Sequence, residues 1–273
     1  FALVANFVFA NNGTDVVEPT DEPSPTLTRE GETGKITVVT STRVWAEITE
    51  LLAGEWVEVV SIVPNGQDPH SYQASARDQL LISEAELVIA NGGGYDDFMD
   101  QLVSAADVDQ VFLKLVEGEE IHDGEEAHEE GEAHEHSENE HIWYDFDLTL
   151  DAAELIVSAI TELRPEAFES LTAGFDFFTS EVANLEVRLE ALREKAIGLA
   201  FIAPEGVANL LLERAGFEDL TPADLADAIE EDREVSLAAI TQAESLLSNR
   251  VAELLVINIS STPDSVTERL IAA

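Results

Sequence analysis

The chain has 273 residues, with 57 Asp plus Glu against 13 Lys plus Arg and a formal net charge of −44. That balance excludes nucleic-acid binding, which needs a basic footprint, and it draws cations by long-range steering. At 45% hydrophobic and 7% aromatic residues, the composition is that of a folded protein with a sizeable core and not of a disordered acidic tail.

Residues 1–10 form a short apolar run, too short to span a bilayer. It reads either as the end of a secretory signal, with Val8 and Ala10 where a signal peptidase would read, or as a short buried strand. The chain starts at Phe1 with no basic segment before the run, so the start of the gene product is expected upstream. Residues 11–34 are rich in Thr, Glu, Pro and Gly and predict a flexible tether.

Regular structure is predicted from Lys35 onwards. Lys35–Thr40 is a β-branched strand, and Ser41 or Thr42 can cap a helix running through Leu52. Val57–Val63 is a second strand, closed by the turn signal Pro64-Asn65-Gly66. A helix follows over Ala76–Glu84, a buried strand over Leu87–Ala90, a helix over Tyr95–Val103 and a strand over Gln110–Lys114. Strands alternating with helices argue for a parallel sheet.

Leu148–Leu163 is an amphipathic helix. Pro165 opens a long helical pattern to about Lys195, with Phe168, Leu171, Phe175, Phe178, Val182, Leu185, Leu189 and Leu192 on one stripe. Its length suits a rigid spine between two lobes, and its aromatic stripe reads as core. Gly198–Ala203 restarts the strand pattern, and Gly206–Ala215 is a helix ended by Gly216. Thr221–Glu230 and Leu237–Leu247 are helices led by Thr221 and Ser236, and Leu254–Ile259 is a strand. Two clear strands are few for an α/β lobe, so this lobe is expected to be truncated at its C-terminus. The expected layout is a tether over 1–34, a first α/β lobe over 35–163 with a loop at 117–140, a linking helix over 164–197 and a second α/β lobe over 198–273.

The histidines carry the functional signal. Five of the six fall between His122 and His141, and the sixth is His70. Residues 117–140 hold 12 of the 57 acidic residues and no basic one, so the remaining 45 keep the rest of the chain strongly acidic. Neutral imidazole ligates zinc and neighbouring metals, and carboxylates add charge and oxygen donors. His70 and Glu205 each follow a predicted strand at its C-terminal end, where ligands lie in open α/β sheets, and His141 follows the acidic loop. Taken singly, a lone His is more often a hydrogen-bonded structural residue and a lone Glu more often a surface charge. There is no Cys, which excludes disulfides, thiolate metal sites and a lipid-bearing Cys among these residues.

In order along the chain stand Asp68-Pro69-His70-Ser71-Tyr72-Gln73, the stretch Val88–Gly92, the His/Glu loop ending in His141-Ile142-Trp143, and Ala203-Pro204-Glu205-Gly206-Val207. From about Lys35 to the end, this resembles the zinc/manganese family of substrate-binding proteins that serve ABC importers. The resemblance implies two α/β lobes with mainly parallel sheets joined by a long rigid helix, with one metal in the cleft between them. It implies His70, His141 and Glu205 as ligands. Where the family's second motif usually reads Asp-Pro-His-x-Trp-x-Asp-Pro, this chain has Asn139-Glu140-His141 and Asp145-Phe146. The family's fourth ligand, usually a carboxylate, resembles a residue of a final strand and helix that these residues lack; Asp264, Asn258 or water are the substitutes at hand.

The expected function is capture of Zn²⁺ outside the cytoplasm, in the periplasm or at the cell surface, and delivery to a membrane permease by a monomer held there by the permease or an N-terminal anchor. Mn²⁺ is the alternative: Glu in the third position shifts preference towards it, while a His-rich loop accompanies zinc proteins in this family. His122, His128, His134 and His136 are expected to collect zinc weakly for the cleft, or merely to sense it; a solvated acidic loop is the plainer reading. A zinc hydrolase would need three ligands and an open position, which His70, His141 and Glu205 supply. No His-Glu-x-x-His helix accompanies them. An adhesin using its surface is the third reading.

Overall fold

Four short β-branched and apolar segments build the first sheet. The computed structural model describes residues 34–106, 110–116, 139–230, 233–258 and 265–273, so His122, His128, His134, His136 and Asp264 lie outside the described residues. Ile36–Thr40 (β1), Val57–Ser61 (β2), Leu87–Gly92 (β3) and Val111–Val116 (β4) pair in parallel in the order β2-β1-β3-β4. Val38 stands opposite Val59 on one side and Leu87 on the other.

Side chains alternate across this sheet and bury both faces. Ile36, Val38, Leu87 and Ile89 face a cluster with Trp45, Leu52, Ile156, Ile160 and Leu171. These come from helices Arg43–Ala53 (α1), Phe146–Leu163 (α4) and Phe168–Ala196 (α5). Val39, Val60, Val88 and Ala90 face the opposite way, onto Leu81, Ile82, Met99 and Leu102. Those belong to Ala76–Glu84 (α2) and Phe98–Ala106 (α3). A capping box starts α2: Ser75 Oγ accepts from Asp78 N, and Asp78 accepts from Ser75 N.

The second lobe has Ala200–Ile202 (β5), Glu218–Asp219 (β6) and Leu254–Leu255 (β7), parallel in the order β6-β5-β7. Helices Asn209–Arg214 (α6), Ala223–Glu230 (α7), Leu237–Ser248 (α8) and Ser265–Ile271 (α9) complete it. Its core centres on Ile202, Leu225, Ala243 and Leu270. Leu211 of α6 also packs on the first lobe's cluster, and Arg214 of α6 bonds Asp147 of α4 and Glu186 of α5 while covering the Phe146 ring.

Several expectations shift. The second lobe has a strand, β6, that two acidic residues hid from a hydrophobic pattern. Helix α3 starts three residues later than Tyr95, because Asn91 N and Gly92 N bond the Asp96 carboxylate and hold that stretch as a turn. Thr42 stands at the N-cap of α1 but its hydroxyl makes no capping bond, and Thr221 accepts from Ala203 N across the lobe. The long apolar stripe is core only in its middle: Leu171, Phe178 and Val182 are buried, while Phe168 and Leu192 are exposed.

With 29 residues, α5 is about 44 Å long. It lies against α1 at Gly174, where an added Cβ would stand 2.1 Å from the Leu52 carbonyl oxygen. That contact is with backbone, so a side chain there must push two helices apart. Gly174→Ala is expected to cost about 1–3 kcal/mol, the usual price of overpacking, despite the better helix propensity of Ala. Urea unfolding reads this directly; an unchanged or raised midpoint would mean that α5 and α1 do not approach so closely.

Candidate metal centre

The order β2-β1-β3-β4 reverses direction at β1 and β3, which opens a crevice at the carboxyl ends of these strands. His70 lies in the loop after β2, Tyr95 in the turn after β3, and Asn139, Glu140 and His141 in the approach to α4. Tyr95 is the plate between the two histidines. Its ring centroid is 5.0 Å from His70 and 5.3 Å from His141, both edge-on. Trp143 closes the wall, 5.3 Å from Tyr95 and 5.2 Å from His141.

A buried amide fixes this arrangement. Asn91, at the end of β3, is fully buried. Its Oδ1 accepts from the Trp45 indole N–H, and its Nδ2 donates to the carbonyls of Gly92 and Glu140. An indole can only donate and a carbonyl can only accept, so the amide has one possible orientation.

His141 is fixed down to its tautomer. Asn139 Nδ2 donates to the Gly206 carbonyl in the second lobe, 2.8 Å away, so Asn139 Oδ1 is the acceptor. That oxygen lies 2.8 Å from His141 Nδ1, which must therefore carry the hydrogen. Nε2 is left with its lone pair, the form that ligates a metal. Burial pushes the pKa of His141 down to about 4, which keeps the ring neutral.

His70 is held differently. Its Nε2 is 2.9 Å from Glu140 Oε1, a hydrogen bond that raises the pKa of His70 against the effect of burial. Burial works against the Glu140 carboxylate, yet the His70 hydrogen bond and the nearby His141 bring its pKa below the ordinary value. Burial and then the charges of Asp68, Glu140, Asp96 and Glu205 raise the pKa of the Tyr95 hydroxyl. Acidic groups from both lobes thus set a negative potential at the aromatic plate, which suits a cation.

Glu205 precedes the short 3-10 turn Gly206–Ala208 after β5, half-buried, on the second lobe's side of the crevice. Glu230, at the end of α7, accepts from the Gly206 backbone; burial and then the Glu140 charge raise its pKa. A Cβ on Gly206 would lie 2.8 Å from Glu230 Oε1 and 3.1 Å from Asn139 Nδ2, so a side chain there would displace the tips of these two residues.

Of the residues singled out in the sequence, His70 and His141 share one aromatic plate, and Glu205 acts on it from across the crevice. Among the described residues, no three His, Asp or Glu side chains stand close enough to hold a metal ion in this conformation. Glu140 holds His70 instead. Tyr95 and Glu230 carry no functional signal in the sequence, Asn91 has none beyond its place in the Val88–Gly92 stretch, and Glu140 stands out only as a departure beside His141. The one available signal was a charged residue directly before His141.

The family profile described as "Zinc-uptake complex component A periplasmic" (ZnuA) matches residues 38–273. The chain belongs to the ZnuA family. Curated relatives include the metal ABC transporter substrate-binding lipoprotein FimA of Streptococcus parasanguinis, 28% identical over 172 residues, which are 61% of this chain and 52% of FimA. Another is the manganese-binding lipoprotein MntA of Halalkalibacterium halodurans, 27% identical over 157 residues, 55% of this chain and 47% of MntA. The chain spans about half the length of these relatives. The periplasmic zinc-binding protein TroA of Treponema pallidum has the same fold, with a TM-score of 0.70 at 19% identity over 87% of this chain and 82% of TroA. So does the manganese-bound periplasmic metal-binding protein of Candidatus Liberibacter asiaticus, with a TM-score of 0.66 at 20% identity over 87% and 85% of the two chains. The two parallel-sheet lobes and the long helix are the fold of this family.

The neutral His141 makes a pH prediction. Unfolded, the ring takes a proton near pH 6.5; folded, it does so only near 4. Between these values the unfolded state binds more protons, so this residue lowers stability as the pH falls, by an amount on the order of 3 kcal/mol. The raised pKa of His70 acts oppositely, adding stability on the acid side that is lost as the pH rises through its folded value. Urea unfolding of wild type and His141→Gln from pH 7 to pH 4 separates the contribution. An identical acid loss in both proteins would mean that His141 is not held neutral.

Proposed function

We propose that this protein is an extracytoplasmic binding protein that captures a divalent metal in the crevice and delivers it to the permease of an ABC importer. It carries cargo and does no chemistry on it. The observation that carries this reading is the pairing of two histidines on Tyr95, with His141 locked as the neutral tautomer that offers Nε2. Membership of a family described as a zinc-uptake component supports it. The proposed ligands are His70, His141 and Glu205. In this reading the first lobe presents the imidazoles and the second brings the carboxylate. No described helix is long and apolar enough to cross a membrane.

Zn²⁺ is the proposed cargo, supported by the imidazole pair and by the four further histidines between residues 117 and 140. Mn²⁺ is the second reading. The carboxylates of Glu140, Glu205 and Glu230 around the plate favour it, because oxygen donors suit Mn²⁺. Among relatives, MntA is a manganese-binding lipoprotein and TroA a zinc-binding protein.

Calorimetric titration with Zn²⁺ and Mn²⁺ tests the function. Wild type is expected to show one tight site that survives deletion of residues 118–138, with weaker sites lost alongside that segment. His70→Ala, His141→Ala and Glu205→Ala are expected to weaken the tight site by more than the roughly 10–100-fold typical of an outer-shell change. Loss of tight binding on deleting 118–138, with the point variants unaffected, would place the site in the His-rich segment instead.

A further inference from the structure

The residue that restrains His70 is absent from the ligand set above. Glu140 Oε1 lies 2.9 Å from His70 Nε2 and 3.9 Å from His141 Nδ1. Its side chain is only 12% exposed. Its backbone is fixed, since its carbonyl accepts from the buried Asn91 amide. A mobile surface carboxylate meets neither condition.

Charge and spacing both bear on what this carboxylate does. A divalent ion with two neutral imidazoles and one carboxylate keeps a net positive charge, which is costly in a partly buried crevice. A second carboxylate removes it. The spacing, an ordinary hydrogen-bond length, is also compatible with two donors on one metal. At metal–ligand distances of about 2.1 Å, neighbouring donors lie about 3.0 Å apart at right angles and about 3.4 Å apart at tetrahedral angles. The observed 2.9 Å separation of Nε2 and Oε1 fits the right-angled case. A cation bound by both groups would lie to one side of the line between them, so the His70 ring must turn towards it while Glu140 stays within reach.

We propose that Glu140 is itself a ligand of the transported cation, adjacent to His70 on the first lobe's side of the site. The assignment deepens the metal-site reading above and rests on it. On loading, the hydrogen on His70 Nε2 leaves to solvent as a proton, and the lone pairs of Nε2 and Oε1 both turn to the metal. Glu140 then adds a second carboxylate to the shell beside Glu205. Glu140 thereby makes the site richer in oxygen and favours Mn²⁺ more than it favours tetrahedral Zn²⁺.

The test uses Glu140→Ala, Glu140→Gln and His70→Ala, each titrated with Zn²⁺ and Mn²⁺ and examined by X-ray absorption at the metal edge. Glu140→Ala is expected to lose one oxygen donor from the shell and to bind Mn²⁺ on the order of 100-fold more weakly, with a smaller loss for Zn²⁺. Glu140→Gln preserves shape and an oxygen but not the charge. It is expected to fall between Glu140→Ala and wild type, and it keeps the test decisive if the Ala variant folds poorly. If His70→Ala abolishes tight binding while both Glu140 variants keep wild-type affinities and oxygen count, the Glu140 assignment is overturned and the site reading stands. If His70→Ala binds both ions as tightly as wild type, the site reading falls and takes the Glu140 assignment with it.

Discussion

The site depends on one buried amide. Asn91 is fully enclosed, and its side chain ties three elements together: Trp45 on α1, Gly92 at the end of β3, and the backbone of Glu140. Losing a partner inside a protein costs a buried polar group about 1–3 kcal/mol, so the three segments are pinned to one another. Glu140 and His141 occupy their places because the carbonyl between them is held there. The Asp96 carboxylate, bonded to the N–H groups of Asn91 and Gly92, supports the same corner from the other side.

Around this corner the two histidines are prepared in opposite ways. His141 is buried, neutral and held by an amide oxygen, while His70 is more exposed and bound to a carboxylate. A neutral imidazole needs no proton removed before it ligates. One that shares a hydrogen with a carboxylate must give it up. The first is a standing donor and the second a conditional one, and the difference lies in whether Asn139 or Glu140 faces the ring.

Much of this was legible in the sequence. The β-branched runs at Ile36–Thr40 and Leu87–Gly92, and the apolar spacing of α4 and α5, gave the elements because each buries a continuous apolar face. The strand Glu218–Asp219 was not legible, since it is two acidic residues paired only through backbone. His70, His141 and Glu205 were found from their residue types and from their positions after strands or motifs. Asn91, Tyr95 and Glu230 were not, because their roles come from contacts across 46 to 49 residues of chain or between lobes. Glu140 was visible as an odd residue beside His141, but its meaning required knowing that His70, 70 residues away, ends up 2.9 Å from it.

The link between Asn139 and Gly206 gives the lobes a common vocabulary. The same amide that grips the second lobe through its Nδ2 presents its Oδ1 to the His141 ring. If the lobes part, Nδ2 loses the Gly206 carbonyl, and the His141 backbone N–H still holds Oδ1 towards the ring. The tautomer of His141 is thus set inside the first lobe, and the second lobe only reinforces it. Separation of the lobes would leave Nε2 of His141 a ready donor and withdraw only what the second lobe adds, so the first lobe is the standing half of the site and the second the removable one.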